Sequence, residues 1–209
     1  MAAHLDEQQE LDNFKYLWKK GGRWLFAAAV AAGLAYLGYS WYQSHQSDKN
    51  KEAAAVLAQM VEKAQSSKDP KALNADLQSL QENYPKSIAA TQATFMAAAA
   101  EFDKGNYPAA TAHLEWVLKN QQDEFAKALA TQRLAIVQLQ EKQFDKALAT
   151  LNTPTDASFE PLMLETKGDV YAAQGKNKEA AAAYEQSLNK LSKESGRREW
   201  LQARIQQLK

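Results

Sequence analysis

Residues 168–187 read GDVYAAQGKNKEAAAAYEQS, with Gly168, Tyr171, Gly175, Ala180, Tyr184 and Ser187 at the offsets of a helix-turn-helix repeat of about 34 residues. The physical logic is short. A residue with little or no side chain at the crossing lets two antiparallel helices approach closely. A glycine supplies the turn, and a bulky residue on the second helix fills the gap beside the crossing.

The same pattern recurs upstream. Ala135, Phe144, Ala147 and Leu151 occupy equivalent places, and before them Ala98, Gly105, Tyr107, Ala110, Leu114 and Val117 do. The second-helix alanines Ala110, Ala147 and Ala180 lie 37 and then 33 residues apart, one period with a short insertion in the first interval. These units follow the tetratricopeptide template, with three departures. Glu101 stands where an aromatic residue is usual, Lys142 replaces a turn glycine, and the loop at 152–161 holds two prolines. A fainter unit precedes them, helices at 52–65 and 71–84 closed by Tyr84-Pro85-Lys86-Ser87. At the other end, Trp200, Leu201, Ile205 and Leu208 in 197–209 are spaced to cover the exposed face of the last repeat.

The expected fold is all-α: a tetratricopeptide-like α-solenoid with a C-terminal capping helix. Three repeats occupy 91–194, with a linker helix and degenerate repeat over 43–90 and the cap over 195–209. Composition agrees, being rich in Ala, Gln, Lys, Glu and Leu with eight glycines and five prolines in 209 residues. Lys+Arg and Asp+Glu are both 25, so no net charge draws the chain toward nucleic acid. Cysteine is absent, which removes disulfides and thiolate chemistry.

Residues 24–42, WLFAAAVAAGLAYLGYSWY, contain no charge over 19 positions and would extend roughly 28 Å as a helix. Trp24 on one side and Trp41 with Tyr42 on the other suit membrane interfaces. Lys15, Lys19, Lys20 and Arg23 precede the stretch, against Lys49 and Lys51 after it, so the basic residues place 1–23 in the cytoplasm and the repeats across the membrane. A single transmembrane helix is therefore expected at 24–42. A cleaved signal peptide would want a small-residue site where Trp41, Tyr42 and His45 stand. A buried core helix would not need the basic flank. Within 1–23, Leu11, Phe14, Leu17 and Trp18 form a short apolar stripe at helical spacing.

No catalytic constellation is legible. The histidines His4, His45 and His113 fall in three separate regions, no HExxH, GxSxG or phosphate-binding loop occurs, and carboxylates alternate with lysines along helix faces. No cofactor or metal site is expected. What the spacing does suggest is a protein-binding groove. The first helix of each repeat lines the inner surface through positions 3, 4 and 3 apart. That face carries Gln92, Phe95, Ala99 and Phe102, then Leu129, Gln132, Ile136 and Leu139, then Leu162, Glu165, Asp169 and Ala172. Phe95, Phe102, Leu129, Ile136, Leu139 and Leu162 are the candidate groove residues, and packing between repeats is the alternative use of the same side chains.

Taken over its length, the chain resembles the bacterial YfgM family of tetratricopeptide inner-membrane proteins. The resemblance rests on LDNFKYLWKKGGRWL before the apolar stretch, SWYQSHQSD after it, and RLAIVQLQEKQFDKALATL and GDVYAAQGKNKEAAAAY in the repeats. It implies a cytoplasm-facing N-terminus, a periplasmic repeat domain, association with SecYEG and the periplasmic chaperone PpiD, and a chaperone-like handling of unfolded or translocating polypeptides. It offers no catalytic residues. A structural adaptor with one fixed partner, and a regulator acting through residues 1–23, are the competing expectations.

Overall fold

A computed structural model describes residues 23–66 and 70–208. Lys19 and Lys20, the apolar stripe of 1–22 and its assignment as a cytoplasmic segment lie outside the described residues, as do the side chains of Arg23, Leu25 and Phe26. The described residues form helices and turns with no strand. In chain order these are α1 (Arg23–Ser66), α2 (Pro70–Asn83), α3 (Ile88–Asp103), α4 (Tyr107–Asn120), α5 (Glu124–Gln140), α6 (Phe144–Leu151), α7 (Glu160–Ala173), α8 (Asn177–Lys190) and α9 (Arg197–Gln207). A single 3-10 turn, Ala157–Phe159, leads into α7.

The chain divides into two compact units, 1–49 and 50–209. In the first, residues 24–42 are helical, as part of the longer α1. Among the described residues, however, no helix is long and apolar enough to cross a membrane. Gly33, Gly38, Tyr36, Tyr39, Ser40, Trp41 and Tyr42 dilute the apolar content of the stretch. Its large side chains nevertheless face solvent: Leu34, Tyr36, Leu37, Tyr39, Trp41 and Tyr42 are each at least 59% exposed. Trp41 and His45, one turn apart, stack with ring centroids 5.7 Å apart.

In the second unit the repeat spacing becomes packing. Ala53 and Met60 of α1 meet Leu77 and Leu80 of α2 and Ala89, Ala90 and Ala93 of α3, so the faint first unit has a core of its own. The three clear repeats are the pairs α3/α4, α5/α6 and α7/α8. Their second-helix alanines Ala110, Ala147 and Ala180 are fully buried, as close helix crossing requires. At the crossing itself size is matched pairwise. Ala98 shares a cluster with Leu114, Ala135 shares one with Leu151, and Gly168 faces Tyr184, whose ring occupies the space a Cβ at 168 would need. The largest filler thus stands opposite the position with no side chain.

The turns between paired helices are one structure used three times. Gly105, Lys142 and Gly175 take φ of 74°, 57° and 73°, the left-handed region. Each sends its N–H back to the carbonyl three residues earlier, at 2.9 Å in all three repeats. The next residue's N–H reaches the carbonyl five back, 2.9 Å for Asn106 to Glu101, 2.8 Å for Gln143 to Gln138 and 2.9 Å for Lys176 to Tyr171. This double bond closes a helix C-terminus around a left-handed residue. Lys142 therefore keeps the glycine conformation although it has a Cβ, and the sequence departure there changes energy and not shape. The departure at Glu101 is explained by the same turn. Its carboxylate accepts from Asn106 Nδ2 at 2.6 Å and from Lys104 Nζ at 2.7 Å, bracing the corner, and these partners hold its pKa below the usual range.

Pro161 lies in the first turn of α7, where its missing N–H costs nothing, and not in the preceding loop. The C-terminal helix α9 packs on α7 and α8. Leu201 and Ile205 pack with Ala180 and Tyr184, and Arg198 Nη1 donates to the Leu188 carbonyl at 2.7 Å, closing the end of α8.

Candidate binding groove

The groove begins with two helix starts. Ser87 accepts from the Ala90 N–H at 3.0 Å to open α3, and Asp123 accepts from the Ala126 N–H at 2.8 Å to open α5. The buried Gln121 amide donates to the Pro85 carbonyl at 2.7 Å, tying the α4–α5 connection to the entry of α3. These caps fix where α3 and α5 begin.

Between them lie two cavities. The smaller, about 210 Å³, is lined by Phe102 with Ala98 and Ala99 of α3, Leu114 of α4, and Arg133, Ile136 and Val137 of α5. The larger, about 540 Å³, is lined by Ile88, Gln92 and Phe95 of α3, by 120–123 of the connection, and by Phe125 and Leu129 of α5. All six candidate residues are half-buried. Phe95, Phe102, Leu129 and Ile136 open on these cavities, and the two phenylalanines also rest against the cluster of Ala98, Leu114, Leu134 and Val137. Leu139 and Leu162 sit further along, packed against the cluster of Ala135, Met163 and Val170.

The third repeat does not continue the groove. Glu165 is only 5% exposed and is bound by Arg197 of the cap through two nitrogens, Nε at 2.9 Å to Oε2 and Nη2 to Oε1. Asp169 accepts from the Tyr184 hydroxyl at 2.6 Å and from Arg204 Nη2 at 3.3 Å, while Ala172 packs beneath Leu201. The expectation that Glu165, Asp169 and Ala172 face an open channel is therefore corrected. The capping helix lies over that face, with Arg197 on the Glu165 carboxylate and Arg204 on that of Asp169. Gln132 also turns from the groove, its Nε2 3.2 Å from Thr166 Oγ1.

Three residues escaped the spacing argument. Ile88 and Phe125 are 74% and 62% exposed at the mouth of the larger cavity. Each lies four residues before the first position taken on its helix, Gln92 and Leu129, so extending the stripe by one turn would have found both. Arg133, off the stripe, places its guanidinium 4.9 Å from the centroid of the Phe95 ring, and no sequence signal marked it. His113, half-buried on α4, is held below the ordinary histidine pKa by burial, opposed by the nearby Glu101 charge. Among the described residues no group of three or more His, Asp or Glu gathers as a metal site would require.

Stacked helix pairs with a shared left-handed turn, a close small-residue crossing and a half-buried inner face define a helical repeat protein. A family model described as a tetratricopeptide repeat-like domain matches residues 15–209, and the chain belongs to that family. Among curated relatives, the "Ancillary SecYEG translocon subunit" of Neisseria gonorrhoeae (strain ATCC 700825 / FA 1090) is 56% identical over the full length of both chains. Proteins of the same description from Haemophilus influenzae and Escherichia coli K12 are 29% and 26% identical, covering 90% and 88% of this chain and 91% and 88% of their own. No solved structure matches.

Proposed function

We propose that this chain is an inner-membrane-associated accessory component of a Sec translocon that holds apolar segments of other polypeptides in the α3/α5 groove without performing covalent chemistry. The observation that carries the reading is the row Phe95, Phe102, Leu129 and Ile136 opening on two cavities, with Ile88 and Phe125 exposed at the mouth. Apolar surface of that kind, rimmed by amides, is what a binding face for extended chain needs. The description shared by the relatives supports the translocon association. The resemblance that brought SecYEG also brings PpiD as partner and a periplasmic location for the repeats.

Membrane attachment falls to residues 24–42. The exposed Leu34, Tyr36, Leu37, Trp41 and Tyr42 favour lipid contact, with Trp24, Trp41 and Tyr42 at the interfaces and Lys19, Lys20 and Arg23 on the cytoplasmic side. Held beside a translocon exit, the groove meets emerging chains at high effective concentration, so weak binding suffices.

Site-specific photocrosslinking at Phe125, with exposed Lys178 on α8 as the control position, tests the reading in cells. Adducts with many different secreted chains at 125 and none at 178 are the expected result. One dominant adduct would assign the groove to a fixed adaptor role, and absence of adducts at 125 would refute the groove. Extraction of the membranes at alkaline pH tests attachment: release of the chain into the supernatant refutes an integral anchor.

A further inference from the structure

Arg133 lies at the divide between the two cavities. It lines the smaller one beside Phe102 and Ile136, and its guanidinium lies over Phe95, which lines the larger. Among the described residues no carboxylate comes within ion-pair distance of it. Two acids on the neighbouring inner helices are engaged elsewhere. Glu101 is held by Lys104 and Asn106, and Glu165 by Arg197. At the larger cavity Asp123 caps α5 through Oδ1, and Lys86 adds a second cation to the rim.

A guanidinium over a ring face keeps its N–H donors for a carboxylate, and apolar walls strengthen such a pair by excluding water. A chain lying along the groove would place apolar side chains in both cavities and pass Arg133 between them. We propose that the groove selects polypeptide segments in which an internal Asp or Glu is flanked by large apolar residues, the carboxylate on Arg133 and the apolar side chains in the two cavities. The inference rests on the groove reading above and adds a charge preference to it. An internal carboxylate is favoured over a chain terminus because the cation stands between the cavities and not at an end of them.

The test uses the full chain in mild detergent and fluorescence anisotropy of short labelled peptides. One carries Leu-Glu-Phe in a Ser/Gly background, and two others carry Gln or Lys in place of Glu. The Glu peptide should bind about tenfold tighter than the Gln peptide, the size of one charge-assisted hydrogen bond. R133Q should erase that preference, R133K should retain part of it, and R133E should favour the Lys peptide. The comparison of Glu and Gln peptides on the unaltered chain does not depend on any variant folding. Equal binding of those two peptides there, with both displaced by an unlabelled apolar competitor, overturns the charge preference and leaves the groove intact. Failure of all three peptides to bind overturns the groove reading and this inference with it.

Discussion

Replacing Gly168 by Ala adds one methyl group at the α7/α8 crossing, where a Cβ would lie 2.8 Å from Tyr184 Cζ and closer still to other ring atoms. Tyr184 is fully buried, and its hydroxyl is anchored to Asp169 at 2.6 Å, so the ring cannot withdraw without breaking that bond. Overpacking of this kind costs about 1–3 kcal/mol, and losing a hydrogen bond to a carboxylate adds about 1.5 kcal/mol or more. The better helix propensity of Ala returns about 1 kcal/mol. The net loss is therefore about 2 kcal/mol, a fall in Tm of about 4–8 °C for a domain of this size, read by circular dichroism at 222 nm. A double-mutant cycle isolates the size match. In a Tyr184→Leu background the crossing acquires the Ala-with-Leu pairing of Ala98 with Leu114 and Ala135 with Leu151, and Gly168→Ala should there be neutral or stabilising. An equal cost in both backgrounds would refute size matching at the crossing.

Lys142→Gly should raise stability by about 1 kcal/mol, because a left-handed residue with a Cβ is strained where Gly105 and Gly175 are not, while Gly175→Ala should lower it by a similar amount; thermal unfolding of the two variants decides. Arg197→Met leaves the buried Glu165 carboxylate without its partner and should cost about 2 kcal/mol in urea unfolding, discounted from the cost of a fully buried pair because Arg197 is itself more than half exposed. His113 has its folded pKa depressed by burial, so its contribution to stability is present above the unfolded value near 6.5 and is lost as pH falls below it. Unfolding at pH 7 and pH 5 should accordingly show a fall that His113→Gln reduces. At the groove mouth, Ile88→Ser with Phe125→Ser should cut peptide affinity about tenfold and shift Tm by no more than 1–2 °C, since both side chains are mostly exposed; a large Tm change would mean they belong to the core.

The repeat units, their turns and the cap were readable because each depends on residues close in sequence: a small residue at the crossing, a left-handed corner, an apolar stripe. Even Lys142 kept its place, since the backbone hydrogen bonds of the corner are set by helix geometry and a side chain only raises their cost. The groove was legible in part. Phe95, Phe102, Leu129 and Ile136 open on its cavities, whereas Leu139 and Leu162 pack on the cluster of Ala135, Met163 and Val170. Spacing alone cannot tell these uses apart, because both require an apolar side chain on the same face.

What the amino-acid sequence determined by itself, then, is the helical period, the three corners and the order of large and small residues at each crossing, all of which act within a few turns of chain. Only the tertiary structure decided where the groove ends. Arg197 and Arg204 reach residues 32 and 35 positions away to bind Glu165 and Asp169 and cover the third repeat. It also placed Arg133 over Phe95, 38 positions distant, at the divide between two cavities. Ion pairs and ring contacts between helices depend on how the repeats stack, and no local pattern encodes that distance.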